Sequence, residues 1–456
     1  MTARIDTMIA TGLLVAVVFT ALAYGAVEAW SVAIFELIVV ALLALWTIQV
    51  LVEKRVTLSI PAAALPLAAL VVVGLIQSVA FTSGEGRRLS LSKDVEATRS
   101  AVTVIFYLLA SHIIAANFFT TRRRLLALTR FLIIYGLAMA IFAFAQHFSW
   151  NGRFYWLRPN TQTASPFGPF ASHNHFAGYM EMLTPIPVAF VVARAVRGGQ
   201  LVFCVLASVV MGIAIMASLS RGGMIGFFAS LVFLALGGLC YRKKGEAGTK
   251  KDARARRTIS RAAFHPSLVV IILIVTIAAG IFFIGPQAIM NRVTGRAMSG
   301  SQATAETFFS SRGWIWQDTL LMIGANPVTG VGIGAYQTAY PIYSRSDGAL
   351  TVSHAHNDYL QALSDCGVPG GLIAAWFIVA IFRAVARGLR SSEPGLRGFA
   401  LGGGAGLLAL LVHSILDFNL QIPSNALLFL LLTAVVSRVG AMAQHDQAAT
   451  TRAASD

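Results

Sequence analysis

The chain has 456 residues, of which 57% are hydrophobic and only 12% are charged. A soluble domain carries roughly a quarter of charged residues, so this composition excludes a soluble protein and predicts an all-α integral membrane protein. The net charge of +16 comes from basic residues scattered over short segments between apolar runs. That distribution excludes a continuous basic surface for nucleic acid, and no nucleic-acid partner is expected.

A helix that crosses a bilayer needs about 20 largely apolar residues. The apolar run after Arg4 resembles a secretory signal, but its length and the span that follows it favour an uncleaved first helix. About twelve segments satisfy the length and composition of a span, and the predicted transmembrane helices are Met8–Tyr24, Ser31–Leu51, Leu58–Phe81, Ser100–Phe119, Leu125–Phe148, Phe176–Arg194, Leu201–Ala217, Met224–Leu239, Ser267–Ile284, Val368–Ala386, Phe399–Leu416 and Pro423–Val439.

The basic residues predict the orientation of these spans. With the amino terminus in the cytoplasm, about two thirds of the 35 Lys and Arg residues fall on the cytoplasmic side, as the positive-inside rule requires. We therefore expect one membrane domain, residues 1–440, with both termini cytoplasmic and with anionic membrane lipids as neighbours. Within this scheme residues 242–266 form a basic cytoplasmic loop, and residues 441–456 form a disordered tail.

Three segments of the predicted periplasmic face stand out: residues 150–175, residues 218–223 and the large loop of residues 285–367. The large loop is expected to be partly helical, with helices over residues 310–324 and 356–363 and a glycine-rich turn between them. Amphipathic helices in such a loop would rest on the membrane or cover a cavity.

Two arginines on this face are candidates for binding a diphosphate. Arg221 lies in the turn Leu219–Gly223, where adjacent glycines let a ligand approach the backbone and a span begins. Arg312 begins a helix in the large loop, and a guanidinium group matches phosphate oxygens better than an ammonium group does. The alternative is that Arg221 is an interfacial anchor and Arg312 a surface cation.

Two histidines, His354 and His356, are candidates for a general base. A neutral imidazole accepts a proton from a sugar hydroxyl near pH 7, and residues two apart on a helix face different ways, so only one of them needs to act. The pattern HxHxD also suggests a metal site, but the further ligands of a zinc centre are missing from it. We expect no metal and no cofactor.

Further candidates for substrate binding lie where the sixth span begins. His173 and Asn174 enter this span, and Asn174 is also a plausible helix cap. Glu181 is an acid inside the span and therefore a functional candidate by default. Glu36 and Asp417 share that status more weakly, and a carboxylate base is the main rival to the histidine.

Taken together, these residues resemble the O-antigen ligase and polymerase superfamily of bacterial membrane glycosyltransferases. The most specific match is His356 and Asn357, followed after nine residues by Gly367 and then Gly370. The SRG turn at Arg221 is similar to a second family pattern. The stretch from Arg312 through WIWQDTLLMIGANPVTGVGIGAY is similar to a third, and the segment around Asn174 to a fourth. The patterns occur in the expected order over residues 165–371.

The resemblance implies a function. The donor would be a glycan on undecaprenyl diphosphate in the outer leaflet of the inner membrane, and the acceptor would be a hydroxyl group of a lipid A-core sugar or of a second lipid-linked glycan. Transfer would invert the anomeric centre without metal. His356 would be the base, and Arg221 and Arg312 would hold the diphosphate. His354, Asn357, His173, Asn174 and Glu181 remain candidates for substrate contacts.

The acceptor decides between two members of this superfamily. One dominant outer loop late in the chain favours an O-antigen ligase, while a polymerase of O-antigen or exopolysaccharide more often has two. A membrane transporter is the alternative from another class, and it would have paired broken helices and charges at the middle of the membrane. The clustering of the candidate residues on one face favours the transferase.

Overall fold

The computed structural model describes residues 2–82, 88–160, 165–247, 305–345 and 351–455, together with Ala278. These residues form a bundle of α-helices with two short antiparallel hairpins. Helices satisfy all their backbone hydrogen bonds internally, which is what the interior of a bilayer demands. The predicted all-α membrane class is confirmed.

Fourteen α-helices and four short strands are the main elements of the described part of the chain. The helices are α1 Thr2–Leu22, α2 Ala29–Glu53, α3 Ala64–Gln77, α4 Val95–Phe118, α5 Arg122–Phe148, α6 His173–Leu183, α7 Pro185–Val192, α8 Gly199–Ala217, α9 Arg221–Ala247, α10 Ala305–Ala325, α11 Tyr336–Ala339, α12 Asp358–Gly388, α13 Pro394–His413 and α14 Pro423–Ser455. The hairpins pair β1 Ala80–Thr82 with β2 Arg88–Ser90 and β3 Arg153–Phe154 with β4 Arg158–Pro159.

Within the described residues, 10 helices are long and apolar enough to cross a membrane, α6 and α7 together counting as one. They coincide with ten of the predicted spans. The predicted third span, Leu58–Phe81, is instead the 14-residue helix α3, about 21 Å long and therefore too short for a hydrocarbon core of about 30 Å. The predicted ninth span, Ser267–Ile284, lies outside the described residues except for Ala278.

The sixth span is interrupted between α6 and α7. Pro185 begins α7, and proline has no backbone N–H to donate to the preceding turn. Thr184 Oγ1 donates to the carbonyl oxygen of Met180 at 2.7 Å beside this break. The span therefore consists of two helical pieces, both of them buried inside the bundle.

The helix α12 has a kink at Gly367. Its φ of 65° lies in the left-handed region, which glycine adopts without steric cost, and Pro369 follows inside the helix. The predicted short helix over residues 356–363 and the predicted tenth span are thus two parts of one kinked helix.

The helix α13 lies at the centre of the bundle and packs backbone to backbone against α6 and α7. A Cβ atom on Gly402 would lie 2.8 Å from Ile186 Cα, and one on Gly406 would collide with the carbonyl oxygen of Met182. The order of these contacts makes α13 antiparallel to α6 and α7. The end of α13 therefore meets the beginning of α6, and the candidate site lies at this end of the bundle.

The described part of the large loop has its own small hydrophobic core. α10 covers the predicted helix of residues 310–324, and the glycine-rich turn follows it, with positive φ angles at Gly330, Gly332 and Gly334. The buried residues of this core are Met322, Val331, Tyr336, Ala339, Tyr340 and Ala355. Residues 285–304 and 346–350 of the loop lie outside the described residues.

The last helix, α14, continues to Ser455 near the carboxyl terminus. Residues 441–455, for which the sequence predicts a disordered tail, form the last turns of this helix. Many of them are alanine and glutamine, which are good helix formers.

Candidate functional site

A small polar pocket of ≈ 90 Å³ lies where the beginnings of α6 and α9, the end of α13 and the helix α10 meet. Five candidate residues from four separate segments of the sequence line it together: His173, Asn174, Arg221, Arg312 and Asp417. The other residues of this polar pocket are Gly222, His413 and Leu416. The fold therefore brings together side chains that are far apart in the sequence.

Arg221 reaches the pocket because the turn between α8 and α9 is very tight. Ser218 Oγ accepts a hydrogen bond from the Ser220 backbone N–H at 3.3 Å, and Ser220 Oγ accepts one from the Gly223 N–H at 3.2 Å. A Cβ atom on Gly222 would collide with the His413 ring. The absence of a side chain at Gly222 thus lets the first turn of α9 rest directly on the end of α13.

Arg312 connects α10 to the segment between α13 and α14. Its Nη1 donates a hydrogen bond to the carbonyl oxygen of Leu416, and its Nη2 lies 3.7 Å from Asp417 Oδ2. The side chain is only 11% exposed, so the guanidinium group forms part of the pocket wall. Arg312 is thereby a link between the large loop and the transmembrane bundle.

His356 approaches the same aspartate from the other side. Its Nδ1 lies 3.4 Å from Asp417 Oδ1, and its side chain is 34% exposed. With Nδ1 directed at a carboxylate, Nε2 is the ring nitrogen that remains for a substrate proton. Asp417 therefore joins the predicted base to the predicted phosphate-binding arginine.

Asp417 remains ionised in spite of its burial. Burial disfavours the carboxylate, but the hydrogen bond with His356 and the charge of Arg312 outweigh this effect and lower the pKa of Asp417 below its usual range. The backbone N–H of Phe418 donates to Oδ1 at 2.9 Å as well. An ionised Asp417 favours the His356 tautomer that has its proton on Nδ1.

The second histidine of the HxHxD pattern has a different environment. The His354 ring stacks on Phe418 with centroids 4.2 Å apart and planes at 2°. Burial, together with the nearby His356 and His175, lowers the pKa of His354 to about 4. His354 is therefore neutral at physiological pH and lies flat against an aromatic ring, while His356 contacts the edge of the same ring.

Two asparagines from the predicted site differ in their roles. Asn357 caps α12, because its Oδ1 accepts hydrogen bonds from the Tyr359 N–H at 2.9 Å and the Leu360 N–H at 3.1 Å. Asn174 is not the cap of α6: Ser172 holds that position and accepts the Asn174 N–H at 3.3 Å. The Asn174 side chain lines the polar pocket instead.

Glu181 lies behind the pocket rather than in it. This fully buried residue pairs with His413, whose Nδ1 is 3.0 Å from Glu181 Oε1. The other ring nitrogen of His413, Nε2, is 3.5 Å from Ser220 Oγ. Glu181 therefore reaches the pocket only through His413, a residue that the sequence analysis did not select, although a histidine at the end of an apolar span is itself a signal.

A second, larger cavity lies on the other side of the segment between α13 and α14. It has a volume of ≈ 220 Å³ and is lined mainly by apolar residues of α3, α4, α12 and α14, such as Leu70, Phe377 and Phe429. Its polar end is formed by Asp358 and Ser414, whose side chains share a hydrogen bond of 2.7 Å.

The described site residues show no arrangement suited to a metal ion. Among the residues that the structure describes, no group of three or more His, Cys, Asp or Glu side chains could hold one. The rings of His354, His356 and His175 surround Phe418 instead of converging on a common point.

Part of the chain is similar to a known protein family. A family model described as O-antigen ligase matches residues 206–375, a segment that contains Arg221, Arg312 and His356. No curated protein matches the chain. The resemblance found from the sequence motifs is confirmed over this segment.

Proposed function

We propose, because a family model described as O-antigen ligase matches residues 206–375, that this multi-pass membrane protein is an O-antigen ligase. It would transfer a glycan from undecaprenyl diphosphate to a hydroxyl group of a lipid A-core sugar on the periplasmic face of the inner membrane. The observation that carries this proposal is the link through Asp417, which joins Arg312 in the wall of the polar pocket to His356.

The proposed reaction is a single displacement at the anomeric carbon. The acceptor oxygen forms a bond to this carbon while the bond to the diphosphate oxygen breaks, so the configuration inverts. The acceptor proton goes to His356 Nε2, and undecaprenyl diphosphate leaves with the electron pair. Fixed cations that meet this developing charge lower the barrier, and they do so most effectively in a site that excludes water.

Arg221 and Arg312 are the cations in the proposed mechanism. Both line the polar pocket, beside the first turn of α9, whose backbone N–H groups also favour an anion. Arg312 contacts Asp417 and the Leu416 carbonyl oxygen in this structure, and an arriving diphosphate would become a further partner for its guanidinium group. Asp417 then holds His356 in the tautomer that accepts a proton.

The larger cavity, lined by Leu70, Phe377 and Phe429 among others, is our candidate binding site for the first isoprenoid units of the donor. We name it the apolar cavity. It adjoins Asp358 and Ser414, close in sequence to both His356 and Asp417, and it lies among membrane-spanning helices. A single narrow hydrocarbon chain suits its apolar lining.

The experiment supplies purified protein with undecaprenyl-diphosphate glycan and lipid A-core in the presence of EDTA. We expect glycan on the lipid A-core, and a loss of roughly 10²–10⁴-fold in rate for His356→Ala, the range of a general base. His354→Ala is the matched control and should keep most of the activity.

Three outcomes would contradict parts of the proposal. Chain growth on lipid-linked repeats without lipid A-core would make the protein a polymerase. Loss of transfer in EDTA would contradict the metal-free mechanism. Full activity of His356→Ala would exclude His356 as the general base.

A further inference from the structure

On the membrane face opposite to the polar pocket, a cavity of ≈ 390 Å³ opens between the beginnings of α5, α8 and α13. Each of these helices runs from this cavity towards the other face, where α13 ends at His413 in the polar pocket. Three arginines line the cavity, Arg122, Arg194 and Arg197, together with one acid, Glu393. We name it the arginine cavity.

The charges around the arginine cavity do not cancel. Three guanidinium groups and one carboxylate leave a net charge of +2. Glu393 forms an ion pair with Arg122. In the part of the chain that the structure describes, the side chains of Arg194 and Arg197 have no ion pair, and both residues are exposed.

The backbone adds to this positive potential. Three helix N-termini converge on the arginine cavity, and none of α5, α8 and α13 has an acidic residue in its first turn. The N-cap positions of α8 and α13, Gly198 and Glu393, provide no side-chain hydrogen bond to their helices. Backbone N–H groups at such uncapped ends favour an anion, as do the aligned peptide dipoles.

The chemistry of the arginine cavity suits a phosphate group. Guanidinium groups bind phosphate oxygens in a bidentate manner, and they do so better than ammonium groups. The cavity lies at the ends of membrane-spanning helices, the level at which lipid headgroups are found. Basic pockets of this kind between transmembrane helices recognise anionic lipids.

We propose that the arginine cavity binds a phosphate group, either that of an anionic phospholipid headgroup in the adjacent leaflet or that of a soluble phosphate. Arg194 and Arg197 are the principal ligands of the phosphate, because Arg122 already pairs with Glu393. This site is separate from the polar pocket and does not depend on the function proposed for it.

The test compares two double variants of the full-length protein with the wild type. Arg194→Gln with Arg197→Gln removes two charges from the arginine cavity. Arg55→Gln with Arg383→Gln removes two exposed charges from the same membrane face outside it. Binding of phosphatidylglycerol is measured by native mass spectrometry, with phosphatidylcholine as the zwitterionic comparison and thermal unfolding as the check on folding.

We expect phosphatidylglycerol to bind the first double variant about 30-fold more weakly than the wild type, because each basic residue near an anionic headgroup contributes about a factor of five. The second double variant should bind it as the wild type does. Glu393→Gln should bind it more tightly, since Arg122 is then released from its carboxylate. Phosphatidylcholine should not distinguish the proteins.

A parallel titration with inorganic phosphate, read by thermal unfolding, identifies the source of the phosphate group. Stabilisation of the wild type that is lost only in the first double variant would support a soluble ligand. Equal weakening of phosphatidylglycerol binding in both double variants would overturn the proposal, because it would show a general attraction to the basic face. Unchanged binding of both ligands by the first double variant would overturn it as well.

Discussion

At the scale of single residues, the backbone of His356 is held in an uncommon conformation. Its φ of 49° lies in the left-handed region, which costs a non-glycine residue of the order of 1–3 kcal/mol and persists only where the surroundings enforce it. The neighbours on both sides are fixed: the Ala355 N–H donates to Gln361 Oε1 at 2.8 Å, and Asn357 caps α12. This arrangement directs the imidazole at Asp417 rather than along the helix.

The variant Asp417→Asn distinguishes a role of Asp417 in orienting His356 from a role in binding the donor. An amide in place of the carboxylate can donate to Nδ1 of His356 and so favour the tautomer whose Nε2 already carries a proton. We expect kcat to fall roughly 10²–10⁴-fold, while the KM for the donor stays the same or decreases because Arg312 loses its competing anion. Steady-state kinetics over a range of pH measure both effects.

Asp6→Asn is the control for this variant, since Asp6 pairs with Arg124 on the opposite face. An unchanged kcat for Asp417→Asn would show that the His356 tautomer does not depend on Asp417. A large rise in the donor KM with an unchanged kcat would assign Asp417 to binding instead.

The sequence indicates candidate residues for this site but not the partners that these residues contact. Arg221, Arg312 and His356 stand in motifs that can be read along the chain. Their contacts join residues far apart in sequence, such as Arg312 with Leu416 and Glu181 with His413. Such pairings depend on how the helices pack, and a single sequence does not contain that information.

At the scale of the elements, α13 depends on glycine at the positions where it touches α6. A methyl group on Gly406 would meet the backbone at Met182, and a backbone moves aside less readily than a flexible side chain. We expect Gly406→Ala to destabilise the protein by about 1–3 kcal/mol, the usual cost of overpacking. Thermal unfolding of the detergent-solubilised protein measures this change.

Gly324→Ala in α10 is the matched control, because a Cβ atom there would meet no heavy atom within 4 Å. Alanine favours a helix over glycine by up to about 1 kcal/mol, so this variant should be as stable as the wild type or slightly more stable. Equal stability of both variants would show that α13 and α6 can separate without cost.

Hydropathy predicted where the long helices lie but not where they break. A span is visible in the sequence because lipid demands a run of about 20 apolar residues. The interruption at Thr184 falls inside the predicted sixth span, whereas the kink at Gly367 directly precedes the predicted tenth span. Membrane helices tolerate proline and glycine when neighbouring helices satisfy the backbone. Whether a given proline or glycine breaks the helix is decided by those neighbours.

At the scale of the whole molecule, Gln77 joins the described part of the large loop to the bundle. Its buried side chain donates to the carbonyl oxygens of Thr329 at 2.7 Å and Asp365 at 2.8 Å, and accepts the N–H of Ile333 at 3.0 Å. One residue at the end of α3 thus holds both the glycine-rich turn and the kinked part of α12.

Gln77→Ala should loosen this junction while the bundle stays folded. It removes the side-chain acceptor of the Ile333 N–H, and a buried backbone group without a partner costs about 1–3 kcal/mol. We expect faster hydrogen exchange in residues 326–335 and a lower transfer rate. Gln49→Ala, on the opposite face, is the control. Unchanged exchange in this segment would mean that the hydrophobic core of the loop alone holds it in place.

The polar pocket and the arginine cavity lie at opposite ends of α13, too far apart for a strong electrostatic interaction between them. The helix has 20 residues and is therefore about 30 Å long, a distance at which two unit charges interact by only about 0.6 kcal/mol even at an effective dielectric constant of 20. This is no more than the thermal energy. An anion bound in the arginine cavity would therefore alter the proposed glycan transfer through a displacement of α13 and not through its charge. The close contacts of Gly402 and Gly406 with α6 and α7 would make these helices move together with α13.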